Sequence, residues 1–326
     1  MIQFKLTLKH YLFFFSLISI INQSAAAYPE KSIRLIVPFA TGGSSEIVAR
    51  SIANGLSQQL GQAVYVENKP GGAGNIAMEE AKRANPDGYT LILGHIGTLA
   101  ANPALFGKRL PYDPNHDFAP ITLVAKVPNV IAVSHQSDIK NLKDFIEKSQ
   151  KNPEKINFGS AGNGSAGHLA MAYFASEANI KLVHIPYKGS GSMMTDLIAG
   201  QIQATFNGLP SLIGQIKAGT IRPIAVGSLV RTPALPNIPT IAELGFKGFE
   251  TSQWYGILAP VSTPKPVINR LYVAIKEVFK HPDETRKMTD DGAILIGNTP
   301  EEFSQFIKSE QVRWGRVIQK SQITMD

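Results

Sequence analysis

Short apolar runs alternate along this chain with longer segments whose apolar positions recur at helical spacing, and that alternation is the mark of βαβ units built on a parallel sheet. Ile33–Val37 reads as a strand and ends at Pro38 and a loop, Phe39 to Ser45. In the helix that follows, Val48, Ile52, Leu56 and Leu60 form one stripe, and Glu46 and Arg50 are spaced to pair on its surface. Ala63–Glu67 is the next strand, followed by a glycine-rich turn, a helix through Ala81 and a strand at Thr90–Gly94. A second set opens near Asn129 with a strand at Val130–Val133, a helix at Leu142–Ser149 and a strand at Ile156–Gly159. The loop Ser160–Ser165 then leads into a helix carrying Leu169 and Tyr173. Further short strands follow at Leu182–Ile185, Gln203–Phe206 and Pro223–Val226. Glycine and proline crowd the connection from Arg231 to Gly248, after which come an apolar run, Trp254–Ala259, and helical segments at Val267–Phe279 and Pro300–Gln319.

Two αβ sets with helices left over at the end imply that the C-terminal part returns to the first set. The expected division is 28–123 with 251–326 in one domain and 124–250 in the other. The strands near Ala119–Ala125 and Ser252–Pro260 are then the only two links, as a hinged clamshell requires. A chain of 326 residues is long enough for two such cores. Its first 27 residues have the character of a secretion signal: Lys5, Lys9 and His10, the apolar run Tyr11–Ile21, and then Ala25-Ala26-Ala27. The run is about half the ~20 residues that span a bilayer, so cleavage after Ala27 is expected rather than anchoring. The absence of cysteine rules out a disulfide scaffold and a lipid anchor on cysteine. An exported, cysteine-free chain fits a periplasm. The net charge of +7 is scattered, without arginine runs or interleaved aromatics, which argues against nucleic acid; mild positive charge favours anions.

Two loops, Phe39–Ser45 and Ser160–Ser165, each join a strand to a helix and are rich in glycine and serine. A helix start offers unpaired N–H groups and about half a positive charge, and small residues let an anion approach the backbone. Both loops lie at the carboxyl ends of strands, where open α/β sheets bind ligands. Ordinary serine caps and glycine turns produce the same pattern. The candidate ligand-binding residues are Phe39, Gly43, Ser44, Ser45, Ser160, Asn163, Gly164, Ser165 and the strand-end Asn207. Trp254 and Tyr255 read as core aromatics with pocket walls as the alternative.

Sharper motifs fail. Gly72-Ala73-Gly74-Asn75-Ile76-Ala77 fits a dinucleotide fingerprint, but the next strand ends at Gly94-His95 with no acid for a ribose. Asp113, Asn115 and Asp117 begin like a calcium loop, but Phe118 and Val124 occupy the glycine and glutamate positions. Asn163 replaces the first glycine of a nucleophile elbow around Ser165, and His168 has no acid to orient it. His168 and His184 read as packing and hydrogen-bonding residues, and Lys188 as a solvated turn lysine with an anion-binding or Schiff-base lysine as the alternative. No catalytic residue, metal ligand or cofactor is expected.

Over nearly the whole length after residue 27 the chain resembles the Bug family, the periplasmic receptors of tripartite tricarboxylate transport systems. The resemblance is carried by ordered blocks: YPEKSIRLIVPFATGG, GQAVYVENKPGGAGNIA, NPDGYTL, LPYDPNHDFAPITLVA, INFGSAGNGSAGHLA, HIPYKGSGSMMTDLIAGQI, RTPALPNIPTIAELG, WYGILAPVSTPKP and TPEEFSQFIKSE. It implies a type II periplasmic binding fold, an α/β architecture of two domains with a cleft and two crossover strands. It also implies a small carboxylate ligand held by backbone amides and waters from Phe39–Ser45 and Ser160–Ser165. Family members often carry proline near Ala40-Thr41, aspartate at Glu46 and Asp-Asn at Asn207-Gly208. Losing that last carboxylate removes a partner for an ammonium group and favours an acid without one. The expected protein is a monomeric receptor whose partner is a membrane transporter or, alternatively, a signalling protein. A secreted hydrolase using Ser165 and His168 is the remote alternative.

Overall fold

The computed structural model describes residues 28–324, so the leader expected at 1–27 lies outside the described residues. The first sheet takes its parallel strands from the N-terminal part: β1 (Ile33–Val37), β2 (Val64–Asn68) and β3 (Thr90–His95), with β1 between the other two. Between them run α1 (Ser44–Leu60) and α2 (Asn75–Lys82), and α3 (Asn102–Phe106) follows β3. The fourfold stripe on α1 faces inward as its spacing demands: Val48, Ile52 and Leu56 are fully buried. Burial on that scale stabilises by about 1.5–3 kcal/mol per side chain. Gly61, in the left-handed conformation, stops α1 and returns its N–H to the Ser57 carbonyl.

β4 (Phe118–Ser134) is one strand of 17 residues, longer than the separate crossing and strand that the sequence suggested. Its residues 118–128 pair with β9 (Ser252–Pro260) in the first sheet. From Asn129 onward it pairs with β7 (Ala204–Gly208) and β8 (Ile221–Val226) in the second. The change of partner falls at Pro128-Asn129, where proline lacks the N–H that would continue the ladder. Register shifts at Pro120/Thr122 and Leu123/Ala125 let so long a strand bend between two sheets. The second sheet continues through β5 (Asn157–Ser160) to β6 (Val183–Pro186). Its faces are covered by α4 (Leu142–Lys151), α5 (Ala166–Glu177), α6 (Ser190–Ile198) and α7 (Ile213–Lys217).

After β9 the chain returns to the first sheet as α8 (Lys265–Phe279), α9 (Pro282–Asp290), β10 (Ile294–Leu295) and α10 (Pro300–Ser321). The helix α9 is an addition to the two helical segments the sequence displayed. α8 packs with α1 on one face of the sheet, and α10 covers the other. That second contact is close: a Cβ on Gly256 of β9 would stand 2.0 Å from the Phe303 ring, so only glycine lets α10 seat there. α10 is tied further by the Trp254 indole N–H, which donates to Glu310 Oε2 at 2.8 Å, and by the Arg313–Glu250 ion pair at 2.6 Å.

Candidate ligand-binding cleft

The carboxyl ends of β1, β3, β5 and β7 and the amino end of β9 meet between the two sheets, and the loops that leave them enclose a cavity. Its wall includes Phe39, Gly43, Ser44 and Ser45 from the first loop and Ala161, Ser165, Ala166 and Gly167 from the second. His95, Ser190, Asn207, Gln253 and Tyr255 complete the polar lining. Two helix starts, of α1 and α5, therefore point into one space, and none of the residues around it is Lys, Arg, Asp or Glu.

Six of the nine residues singled out from sequence line this cavity: Phe39, Gly43, Ser44, Ser45, Ser165 and Asn207. The other three stand off it. Ser160 is fully buried against the His184 ring, its Oγ 2.7 Å from Nε2. The Gly164 N–H donates to His168 Nδ1 at 3.2 Å, and Asn163 faces the two neighbouring hollows. Left-handed backbone at Gly162 and Gly164 (φ 120° and 70°) folds this part of the loop back onto the histidines. The donors that the second loop turns to the cavity are thus those at the start of α5 itself, Ala166 and Gly167.

The floor is a hydrogen-bonded chain. Gln253 Nε2 donates to Asn129 Oδ1 at 2.7 Å and to Asn207 Oδ1 at 3.2 Å, while the Tyr255 hydroxyl donates to Gln253 Oε1. Asn207 Nδ2 in turn donates to Ser190 Oγ at 2.9 Å. Such a network fixes each amide's orientation, because a reversed amide would set donor against donor. Sequence reading passed over Gln253. Its signal was a lone amide beside an apolar run, on the same side of β9 as Tyr255, while Trp254 turns into the opposite core.

Three histidines lie around the cleft, all held neutral by burial. His95 is pulled down to about 4, with Nδ1 accepting from the Thr98 N–H at 3.0 Å and its ring 4.5 Å from Phe39. His168 is also lowered to about 4, and His184 to about 3 by burial and then by His168. The rings of His168 and His184 stack 4.1 Å apart, as packing residues do. Burial also pushes the Tyr255 phenol well above its ordinary range, so it stays a neutral donor. The carboxylate of Glu46 accepts from the Gly42 N–H at 2.6 Å and pairs with Arg50 at 2.7 Å, the partner that spacing suggested. At the other candidate motif, Asp113, Asn115 and Asp117 close a turn on one another's backbone.

The lobes meet across the cleft. Ser44 Oγ donates to the Gly208 carbonyl at 3.3 Å, and a Cβ on Gly208 would stand 2.5 Å from that same oxygen. Ala40 and Gly189 approach so closely that a Cβ on Gly189 would be 2.9 Å from that of Ala40. The inner cavity is consequently small, ≈ 20 Å³, little more than the space for one water.

Two α/β lobes joined through β4 and closed over a small polar cavity have the architecture of a solute-binding receptor. The sequence model of the tripartite tricarboxylate transporter family receptor matches residues 48–323, and the chain belongs to that family. It is 32% identical to protein BugT of Bordetella pertussis over 298 residues, covering 91% of each chain. Among solved structures, Rpa4515 of R. palustris with adipate superposes with a TM-score of 0.88 at 34% identity, over 91% of this chain and 99% of that one. MatC of Rhodopseudomonas palustris with bound malate gives 0.85 at 30% identity, over 89% and 100%. The chain is therefore a periplasmic solute-binding receptor with the fold of this family, whose members are receptors and not enzymes. Among the described residues no helix is long and apolar enough to cross a membrane.

Proposed function

We propose that this receptor captures a small carboxylic acid lacking an ammonium group and presents it to a tripartite tricarboxylate-type transporter. The observation that carries the reading is the convergence of the α1 and α5 starts on a cavity without any charged side chain. N–H groups at a helix start complement a carboxylate, and water exclusion on closure strengthens those bonds. With no acid on the wall, an amino acid's ammonium group would be desolvated without a partner, which is costly. The relatives bound to adipate and malate support the same ligand class.

In this reading the primary contacts come from Gly43, Ser44 and Ser45 on one side and Ser165, Ala166 and Gly167 on the other, with Asn207 orienting the acid. The lobes, 28–123 with 251–326 and 124–250, swing about the two crossings, one within β4 near Pro128-Asn129 and one at the start of β9 near Ser252. The leader is removed after Ala27, and the mature protein acts as a monomer. The test is titration calorimetry of residues 28–326 against adipate, malate, glutamate and ornithine. Binding of the two acids at least tenfold tighter than of the two amino acids is expected. Equal or tighter binding of the amino acids would overturn the reading.

A further inference from the structure

We propose that the outer chamber of the cleft is a second subsite, where Lys188 holds the far carboxylate of an α,ω-dicarboxylate. This inference rests on the carboxylate reading above and adds the length and the second charge of the ligand. The inner cavity, at ≈ 20 Å³, takes little more than one carboxylate group, so the body of any larger acid must run outward. Outward lies a chamber of ≈ 660 Å³ that shares Phe39 and Ala161 with the inner cavity. Such a volume suits a small organic ligand. Its wall is mostly apolar, formed by Phe39, Phe106, Tyr187, Pro70 and Pro186 with the glycine turn at 71–74, and Asn163 adds a polar group. The one charged residue on it is Lys188, which is exposed and has no ion-pair partner among the described residues. A methylene chain suits the apolar wall, and an anion suits its single cation.

The position of Lys188 also couples this contact to closure. It sits between β6 and α6 in the second lobe, directly before Gly189, which packs against Ala40 of the first. An acid seated on the start of α1 meets Lys188 only while that contact is made. For an acid seated first on α1 the bond to Lys188 forms only on closure, and a ligand shifts an equilibrium by such differential contacts. A diacid of sufficient length then holds the lobes shut more firmly than a monoacid.

The test is calorimetry on the wild type, Lys188→Gln and Lys188→Glu, with adipate and with adipic acid monoamide, which has the same length but one carboxylate. Pimelate and its monoamide serve as a longer pair. Lys188 is exposed, so both variants should keep the wild-type melting temperature. The wild type is expected to bind each diacid about three- to tenfold tighter than its monoamide. Lys188→Gln should erase that ratio by weakening the diacid alone, and Lys188→Glu should invert it. Raised salt should shrink the wild-type ratio and leave the Gln variant unchanged. If both acids bind well and neither variant alters the ratio, the second subsite is wrong and the carboxylate reading survives. If no acid binds the wild type, both fall.

Discussion

The two helix starts that share the cleft are built differently, and the difference bears on what each contributes. α1 opens at Gly43, whose side is bare: no side chain caps the helix, and the acid of its first turn, Glu46, is folded back onto the Gly42 N–H. α5 opens at Ser165, whose Oγ accepts from the His168 N–H at 3.4 Å, and its first turn contains no acid. An acid near a helix start cancels part of the positive field there. At the α1 start Glu46 subtracts from that field and its partner Arg50 adds to it, whereas the first turn of α5 carries no acid. The glycines confirm the contrast in packing. A Cβ at Gly43 would meet nothing nearer than Ser190 Oγ at 3.4 Å, whereas one at Gly167 would lie 2.6 Å from the Phe206 carbonyl oxygen.

The largest effect should come from exchanging side chains at these two glycines. Gly167→Val must push α5 off β7, and a loss of about 1–3 kcal/mol in chemical denaturation is expected together with loss of adipate binding. Gly43→Ala should retain the fold within about 0.5 kcal/mol, because the added methyl meets only the Ser190 and Ser45 hydroxyls, at 3.4 and 3.7 Å. Comparable damage at both positions would erase the distinction. Next in size is the response to acid. The pKa values of His95, His168 and His184 lie below the value near 6.5 of an unfolded chain, so the unfolded state takes up protons first. Their contribution to stability is complete above about pH 6.5 and is lost as pH falls towards 4. Two of the three stand behind the α5 start, so His168→Gln should flatten the decline of Tm between those pH values more than any change near α1. A curve unchanged by that substitution would place the acid sensitivity elsewhere.

Glu46→Gln sharpens the comparison from the other side. Removing the acid while keeping an acceptor for the Gly42 N–H should raise adipate affinity by about two- to fivefold in calorimetry. No rise would mean that Arg50 already neutralises it. An effect of the same size and opposite sign is expected at Ser44→Ala, which removes one long cross-lobe hydrogen bond; binding should weaken by about 0.5–1 kcal/mol.

What could be read beforehand followed from local periodicity. The α1 stripe, the strand at 33–37 and the two loops were legible because neighbouring residues alone specify them. The crossing near Ala119–Ala125 and the strand at Val130–Val133 were legible too, but not that they are one strand, because Pro128 looks like an interruption until β9 and β7 supply partners on either side. α9 escaped notice because only Thr285 and Met288 among its described side chains are buried, too few to form a stripe. In the cleft, the helix starts were legible but the face that each loop residue presents was not. Ser160 and Gly164 are turned away by His184 and His168, and Gln253 gains meaning only from Asn129 and Asn207, both distant in the chain.

The first sheet also sets the order in which the molecule can be completed. Three of its strands are made early, yet β3 finds its antiparallel neighbour only when β9 appears, pairing Ile92 with Leu258. The residues between them close their own sheet in the meantime. A chain emerging from its N-terminus must therefore finish the second lobe first and leave the edge of β3 unmatched until then. Closing so long a loop slows folding far more than it weakens the product. Until β9 is available, the edge of β3 is therefore open to pairing with the wrong strand.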